Sequence, residues 1–275
     1  MNAPLKTTVE VNCHACRVWR KGQGEPLGYV PGYAGLPRWT AFLDELAVSR
    51  LVIAPSLPGF PGGSGHTDLD TQLDWVVATR DLLAAAGLHG ADIVASGFGA
   101  ALVADVAALW PDSVRSLTLI APFGIFYDDA PIADVWAPRP GPVETILVSD
   151  PARYRDFIEL PEGEDPVEWP IMLNRANEAA ARFLWPLGNT GLARRLHRIA
   201  APTLLLWGEE DKVVPPSYAE RFRARIKGPA SVCHIPRAGH LAELDQPQAV
   251  ARAVLEFVGR SAAPTRSAAT MSSRN

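Results

Sequence analysis

Residues 202–216 read PTLLLWGEEDKVVPP, and residues 235–247 read IPRAGHLAELDQP. The run Thr203 to Trp207 is short, apolar and bounded by Pro202 and Gly208, which is the pattern of a strand buried on both faces. It leads into an acidic loop containing Glu209, Glu210 and Asp211. Ser231 to Ile235 reads as the next strand, and the turn after it delivers His240. In open parallel sheets the carboxyl ends of the strands bound the ligand crevice. Asp211 and His240 are therefore expected at one edge, where a carboxylate fixes the tautomer of an imidazole and stabilises its cation. A histidine held in this way is a competent general base near neutral pH.

The same alternation extends upstream. Asp92 to Ala95 (DIVA) reads as a strand, Ala100 to Trp110 as a helix and Val114 to Ile120 as a strand, together a βαβ unit of a parallel sheet. Before it come the apolar run Pro26 to Pro31, a helix at Trp39 to Ala47, a strand at Leu51 to Ala54, a Gly/Pro loop at Ser56 to Gly65 and a helix at Leu69 to Ala86 stopped by Gly87. Helices are expected again at Tyr218 to Ile226 and Pro247 to Val258. Between Phe123 and Ala201 the alternation stops, and ten of the 25 prolines lie between Pro122 and Pro186. The expected architecture is an α/β, mostly parallel, doubly wound sheet. Its core comprises residues 1–122 and 202–260, with a helical, proline-rich lid at 123–201 and a disordered tail at 261–275.

These motifs, with the unit DIVASGFGAALVADVAALWPDSVRSLTLIAPFG at 92–124, resemble the α/β-hydrolase superfamily over about Val9 to Val258. The resemblance implies a nucleophile elbow of the form small-x-nucleophile-x-small, because the turn from strand to helix leaves no room for bulky neighbours. The register that fits is Ala95-Ser96-Gly97-Phe98-Gly99, with Gly97 at the nucleophile position. Moving the register to recruit Ser96 places Val94 and Phe98 at the small positions. Glycine tolerates the strained elbow backbone and supplies no attacking oxygen. Two further departures are Pro31-Gly32, where the family commonly has His-Gly, and Ser56, where it commonly has aspartate. The resemblance also implies an oxyanion hole from the backbone N–H groups of Phe98 and Tyr33, donors that do not depend on side-chain identity.

Ser96, Trp136 and Trp185 are taken as candidate pocket residues, and Arg194-Arg195-x-His197-Arg198 as a solvated face or an anion contact. Asp128 and Asp129 follow strand Val114 to Ile120, another carboxyl end, where they could supply a second acid; the ordinary reading is that they cap or solvate the loop. Cys13-x-x-Cys16 has no second pair and lies in a strand-like stretch, so no metal or cofactor is expected. With 48 % apolar and 20 % charged residues the chain is not a disordered one. A net charge of −4 argues against a nucleic-acid partner. No signal-peptide pattern or bilayer-length apolar run is read, so a cytoplasmic protein acting on a small molecule, with no membrane partner, is expected.

Three functions are compatible with these residues. The first is an enzyme that uses His240 and Asp211 without a serine nucleophile, for hydrolysis by activated water, carbon–carbon cleavage, elimination or cofactor-free oxygenation. The second is a non-catalytic ligand-binding relative. The third is an esterase-like hydrolase using Ser96.

Overall fold

The protein is described by a computed structural model covering residues 2–185, 187 and 189–262. Eight strands form one sheet: β1 (Leu5–Val11), β2 (His14–Lys21), β3 (Pro26–Val30), β4 (Leu51–Pro55), β5 (Ala91–Ser96), β6 (Val114–Ile120), β7 (Thr203–Gly208) and β8 (Ala230–Ile235). Their order is β1-β2-β4-β3-β5-β6-β7-β8. β1 and β2 are antiparallel, as are β2 and β4, and the remaining pairings are parallel. The central strands β5 and β7 are buried along their whole length, which accounts for their unbroken apolar runs.

The helices are α1 (Ala41–Ala47), α2 (Gln72–Ala85), α3 (Gly97–Leu109), α4 (Glu144–Leu147), α5 (Pro151–Ile158), α6 (Glu168–Leu184), α7 (Tyr218–Arg223), α8 (Ala242–Asp245) and α9 (Pro247–Ala262). α1 packs on α9 and α2 on α3, and both pairs lie against the sheet. Among the described residues no helix is long and apolar enough to cross a membrane.

Several boundaries differ from the sequence reading. The strand-like stretch that holds Cys13 and Cys16 is a hairpin rather than one strand, turned at Asn12 and Cys13 with φ of +49° and +64°. Two successive left-handed residues suit the right-handed twist of the flanking strands. Cys13 is exposed in the turn, while Cys16 is buried on β2. α2 starts later than expected because Thr71 and Asp74 form a reciprocal capping box. α3 starts earlier, directly at Gly97, so β5 passes into it without an intervening loop. Ser261 and Ala262, expected to begin the tail, end α9; residues 263–275 lie outside the described residues.

Residues 121–202 lie between β6 and β7 and carry α4, α5 and α6. Across the sheet, Ser96 pairs with Ile120, Ile120 with Leu206 and Leu206 with Cys233. The segments that follow this row, at Gly97, Phe123, Asp211 and His240, therefore emerge from the same edge.

Candidate active site

The loops after β7 and β8 are locked together at their backbones. A Cβ at Gly208 would sit 2.2 Å from the Gly239 carbonyl oxygen and 2.3 Å from that of Ala238. Glycine permits that approach, and the left-handed Arg237, with φ of +54°, turns the second loop toward it. Asp211 is 7 % exposed, and its Oδ1 accepts hydrogen bonds from the Val213 and Val214 backbone N–H groups at 2.8 and 2.9 Å. Its Oδ2 lies 3.0 Å from His240 Nδ1. A carboxylate accepts from Nδ1–H, which leaves Nε2 as the basic nitrogen. His240 is 1 % exposed, and Nε2 has no partner among the described residues.

That nitrogen faces Gly97. Gly97 has φ of +47°, and a Cβ built there would lie 3.2 Å from His240 Nε2 and 3.6 Å from Phe123 Cε2. The surroundings explain the small residues on either side. A Cβ at Gly99 would come within 2.4 Å of the Pro31 carbonyl oxygen, and one at Gly32 within 2.8 Å of the Ser96 carbonyl oxygen. The β3 loop, carrying Tyr33, is thereby pressed against the start of α3. Phe98 lies in the first helical turn, where backbone N–H groups have no intrahelical acceptor.

Phe98, by contrast, turns its ring into the core, stacked on Phe60 at 5.1 Å and edge-on to Trp75 and Phe183. The Phe123 ring stands edge-on to His240 at 5.1 Å. Tyr33 packs near Tyr154 of α5, and burial pushes its hydroxyl up to about 12. Ser96 is fully buried, and its Oγ has no hydrogen-bond partner among the described residues; it is not bonded to His240. Trp136 and Trp185 meet edge to face at 6.5 Å, with Trp185 exposed and Trp136 half-buried.

One expectation outside the site is corrected. Arg194, His197 and Arg198 are exposed, as a solvated face requires, but Arg195 departs from that reading: it forms a two-pronged salt bridge with Asp105 of α3, whose carboxyl is almost fully buried. Arg198 donates to the Ala108 carbonyl. Asp129 is largely exposed, as a loop-solvating group would be, and its carboxylate accepts two hydrogen bonds from Arg221.

The sequence reading did not single out Phe123, Tyr29, Glu243 or Asp245. Asp245 of α8 accepts from Gly239, Ser149 and Asp150 backbone N–H groups, tying the histidine loop to the segment before α5. Leu241 N–H donates to the Leu147 carbonyl at 2.9 Å across the same seam. Glu243 accepts from the Tyr29 hydroxyl at 3.1 Å in a fully buried setting, and burial raises its carboxyl above the ordinary carboxylate range.

A family model described as "Alpha/beta hydrolase family" matches residues 29–253. The chain is 27 % identical over 266 residues to a 2-hydroxy-6-oxo-2,4-heptadienoate hydrolase of Pseudomonas putida F1, covering 91 % of this chain and 93 % of that protein. It is 30 % identical over 252 residues to a dihydrolipoyllysine-residue acetyltransferase component of an acetoin cleaving system from Pseudomonas putida, covering 86 % of this chain and 64 % of that protein. Among solved structures, a 2-hydroxy-6-oxo-6-phenylhexa-2,4-dienoate hydrolase from Rhodococcus sp. strain RHA1 superposes with a TM-score of 0.76 at 19 % identity, covering 94 % of this chain and 99 % of that one. At that identity the superposition speaks to the fold alone.

Proposed function

The chain belongs to the alpha/beta hydrolase family, and from that premise we propose that it acts on a hydrophobic small molecule through a His240/Asp211 dyad and without a serine nucleophile. The observation that carries this reading is the 3.2 Å approach between His240 Nε2 and the Cβ position of Gly97. It is the place from which a nucleophilic side chain would address the base, and Gly97 provides none. A water molecule, or an acidic C–H or O–H of the substrate, takes the place that the reactive end of such a side chain would hold, in contact with Nε2.

In the hydrolytic form, Nε2 removes a proton from the water as its oxygen attacks a substrate carbonyl. The oxyanion is received by the Phe98 and Tyr33 backbone N–H groups, and Asp211 stabilises the imidazolium. The imidazolium then returns its proton to the leaving group, so no acyl-enzyme is formed. Carbon–carbon cleavage, elimination and cofactor-free oxygenation share the first proton removal. Several relatives are by name hydrolases of hydroxy-oxo-dienoates, which favours a substrate carrying a carbonyl on an apolar framework. Residues 123–201 act as its lid: Phe123 covers His240, Tyr154 approaches Tyr33, and Phe183 packs on Phe98. Trp136 and Trp185 line the mouth.

The test is turnover by the purified protein on a panel of apolar esters, thioesters and hydroxy-oxo-dienoates. His240→Ala is expected to lower kcat about a thousandfold, the scale of a positioned general base. Activity unchanged by His240→Ala would sink the reading. A second reading, ligand binding without turnover, is favoured by the near-complete enclosure of His240; product formation by the parent protein excludes it. The Ser96 reading finds no support in a hydroxyl that makes no bond to His240.

A further inference from the structure

His240 Nε2 is buried and has no hydrogen-bond partner among the described residues, so a reactant meets it only if a neighbour gives way. The three atoms nearest to a Cβ built at Gly97 show which neighbour can. His240 Nε2, at 3.2 Å, is the base itself, and Gly32 Cα, at 3.8 Å, is backbone. Phe123 Cε2, at 3.6 Å, is the outer edge of a ring carried on rotatable side-chain bonds. At that separation the ring and the Cβ position are already in van der Waals contact, so no second heavy atom fits between them.

The backbone around Phe123 is held on both sides. Ala121 makes the turn out of β6 with a left-handed φ of +42°, and its N–H donates to the Leu206 carbonyl at 2.9 Å. Such a backbone is unfavourable for alanine and persists where the surroundings over-determine it. The Phe123 N–H donates to the Gly97 carbonyl at 3.2 Å, tying the residue to the elbow it faces. The Gly124 carbonyl accepts from the Thr190 N–H at 3.2 Å and from its hydroxyl at 3.1 Å. The Phe123 ring stands apart from the stack formed by Phe60, Phe98, Trp75 and Phe183. Its one aromatic neighbour among the described residues is the His240 imidazole, at 5.1 Å. On a fixed backbone a side chain moves by exchanging rotamers, so the movable part of this wall is the ring.

We propose that Phe123 is a specificity-determining residue for the reaction at His240. Seated against the imidazole, its ring limits the group presented to Nε2 to one of water size, and bulkier reacting ends enter only when the ring is turned aside or cut back. The substrates so favoured are apolar carbonyl compounds unbranched at the reacting carbon. The proposal rests on the reading of His240 Nε2 as the reacting nitrogen, and it gives Phe123 no part in the proton transfer.

Alkylation of His240 in the intact protein tests it without a substrate. Nε2 displaces halide from iodoacetamide, a small reagent, or from phenacyl bromide, a bulky one. Peptide mass spectrometry reads the labelling, with the exposed His89 and His197 as references. In Phe123→Ala the rate with phenacyl bromide relative to iodoacetamide should rise about tenfold, the scale on which a pocket discriminates by steric fit. An unchanged ratio overturns the proposal, as does a His240 that neither reagent labels in the variant. Both rates rising equally overturns it too, since that is the result of a generally loosened core. If Phe123→Ala does not fold, Phe123→Leu decides: the ratio should rise in the same direction by a smaller factor, and an unmoved ratio overturns the proposal. A shifted ratio in a protein whose turnover is indifferent to His240→Ala keeps the size limit and removes the base. An unmoved ratio with turnover abolished by His240→Ala does the reverse.

Discussion

At Gly97 the backbone and the neighbouring imidazole make opposing demands on any side chain. A φ of +47° admits glycine freely and costs another residue on the order of 1 to 3 kcal/mol, while the Cβ direction leads straight to His240 Nε2. Gly97→Ser should therefore lower stability by about 2 kcal/mol, read as a fall in Tm, and should make the protein reactive toward a phosphonate active-site probe. A folded variant that resists the probe would mean the hydroxyl does not meet the base. Asp211 and His240 were legible because each follows a strand directly, and strand ends fix direction. Glu243 was not, since a charged residue in a single-turn helix carries no mark of burial in the sequence. Its partner Tyr29 lies 214 positions away in sequence, and only sheet topology brings the two together.

Among the elements, α8 does more than its single turn suggests. Through Asp245 it satisfies three backbone N–H groups, one on the histidine loop and two ahead of α5. Hydrogen bonds to a charged acceptor are worth about 1.5 to 3 kcal/mol each, with non-additive sums. Asp245→Ala should destabilise by about 3 kcal/mol and make the segment around residues 140–160 a preferred site of limited proteolysis. If denaturant midpoints and cleavage patterns match the parent, the seam is held by something else. The parallel strands were readable from apolar runs, and so was the break in alternation after β6. The hairpin at Asn12 and Cys13 was missed because its turn uses left-handed residues other than glycine. The early start of α3 was missed because Gly97-Phe98-Gly99 reads locally as a turn, and packing overrides that preference.

For the whole molecule, the buried acid imposes a direction on pH dependence. Glu243 lies above its ordinary value of 4.5 when folded, owing first to burial. Its contribution to stability is full below that ordinary value and is lost as pH rises through the folded value, because the folded chain holds a proton that the unfolded chain has released. Urea midpoints measured from about pH 5 to about pH 9 should show the parent losing stability relative to Glu243→Gln with rising pH. A difference that stays flat would contradict the burial. The position of residues 121–202 also bears on how the chain reaches this state. β7 reaches β6 by closing a loop of about 80 residues, at an entropic cost of about 4 kcal/mol. During synthesis β1 to β6 can pair before β7 has been made, leaving the apolar edge of β6 open to other chains. Neither Asp211 nor His240 is in place at that stage, so the proposed dyad is absent from such an intermediate. The interval before β7 docks is thus when this protein most needs a chaperone.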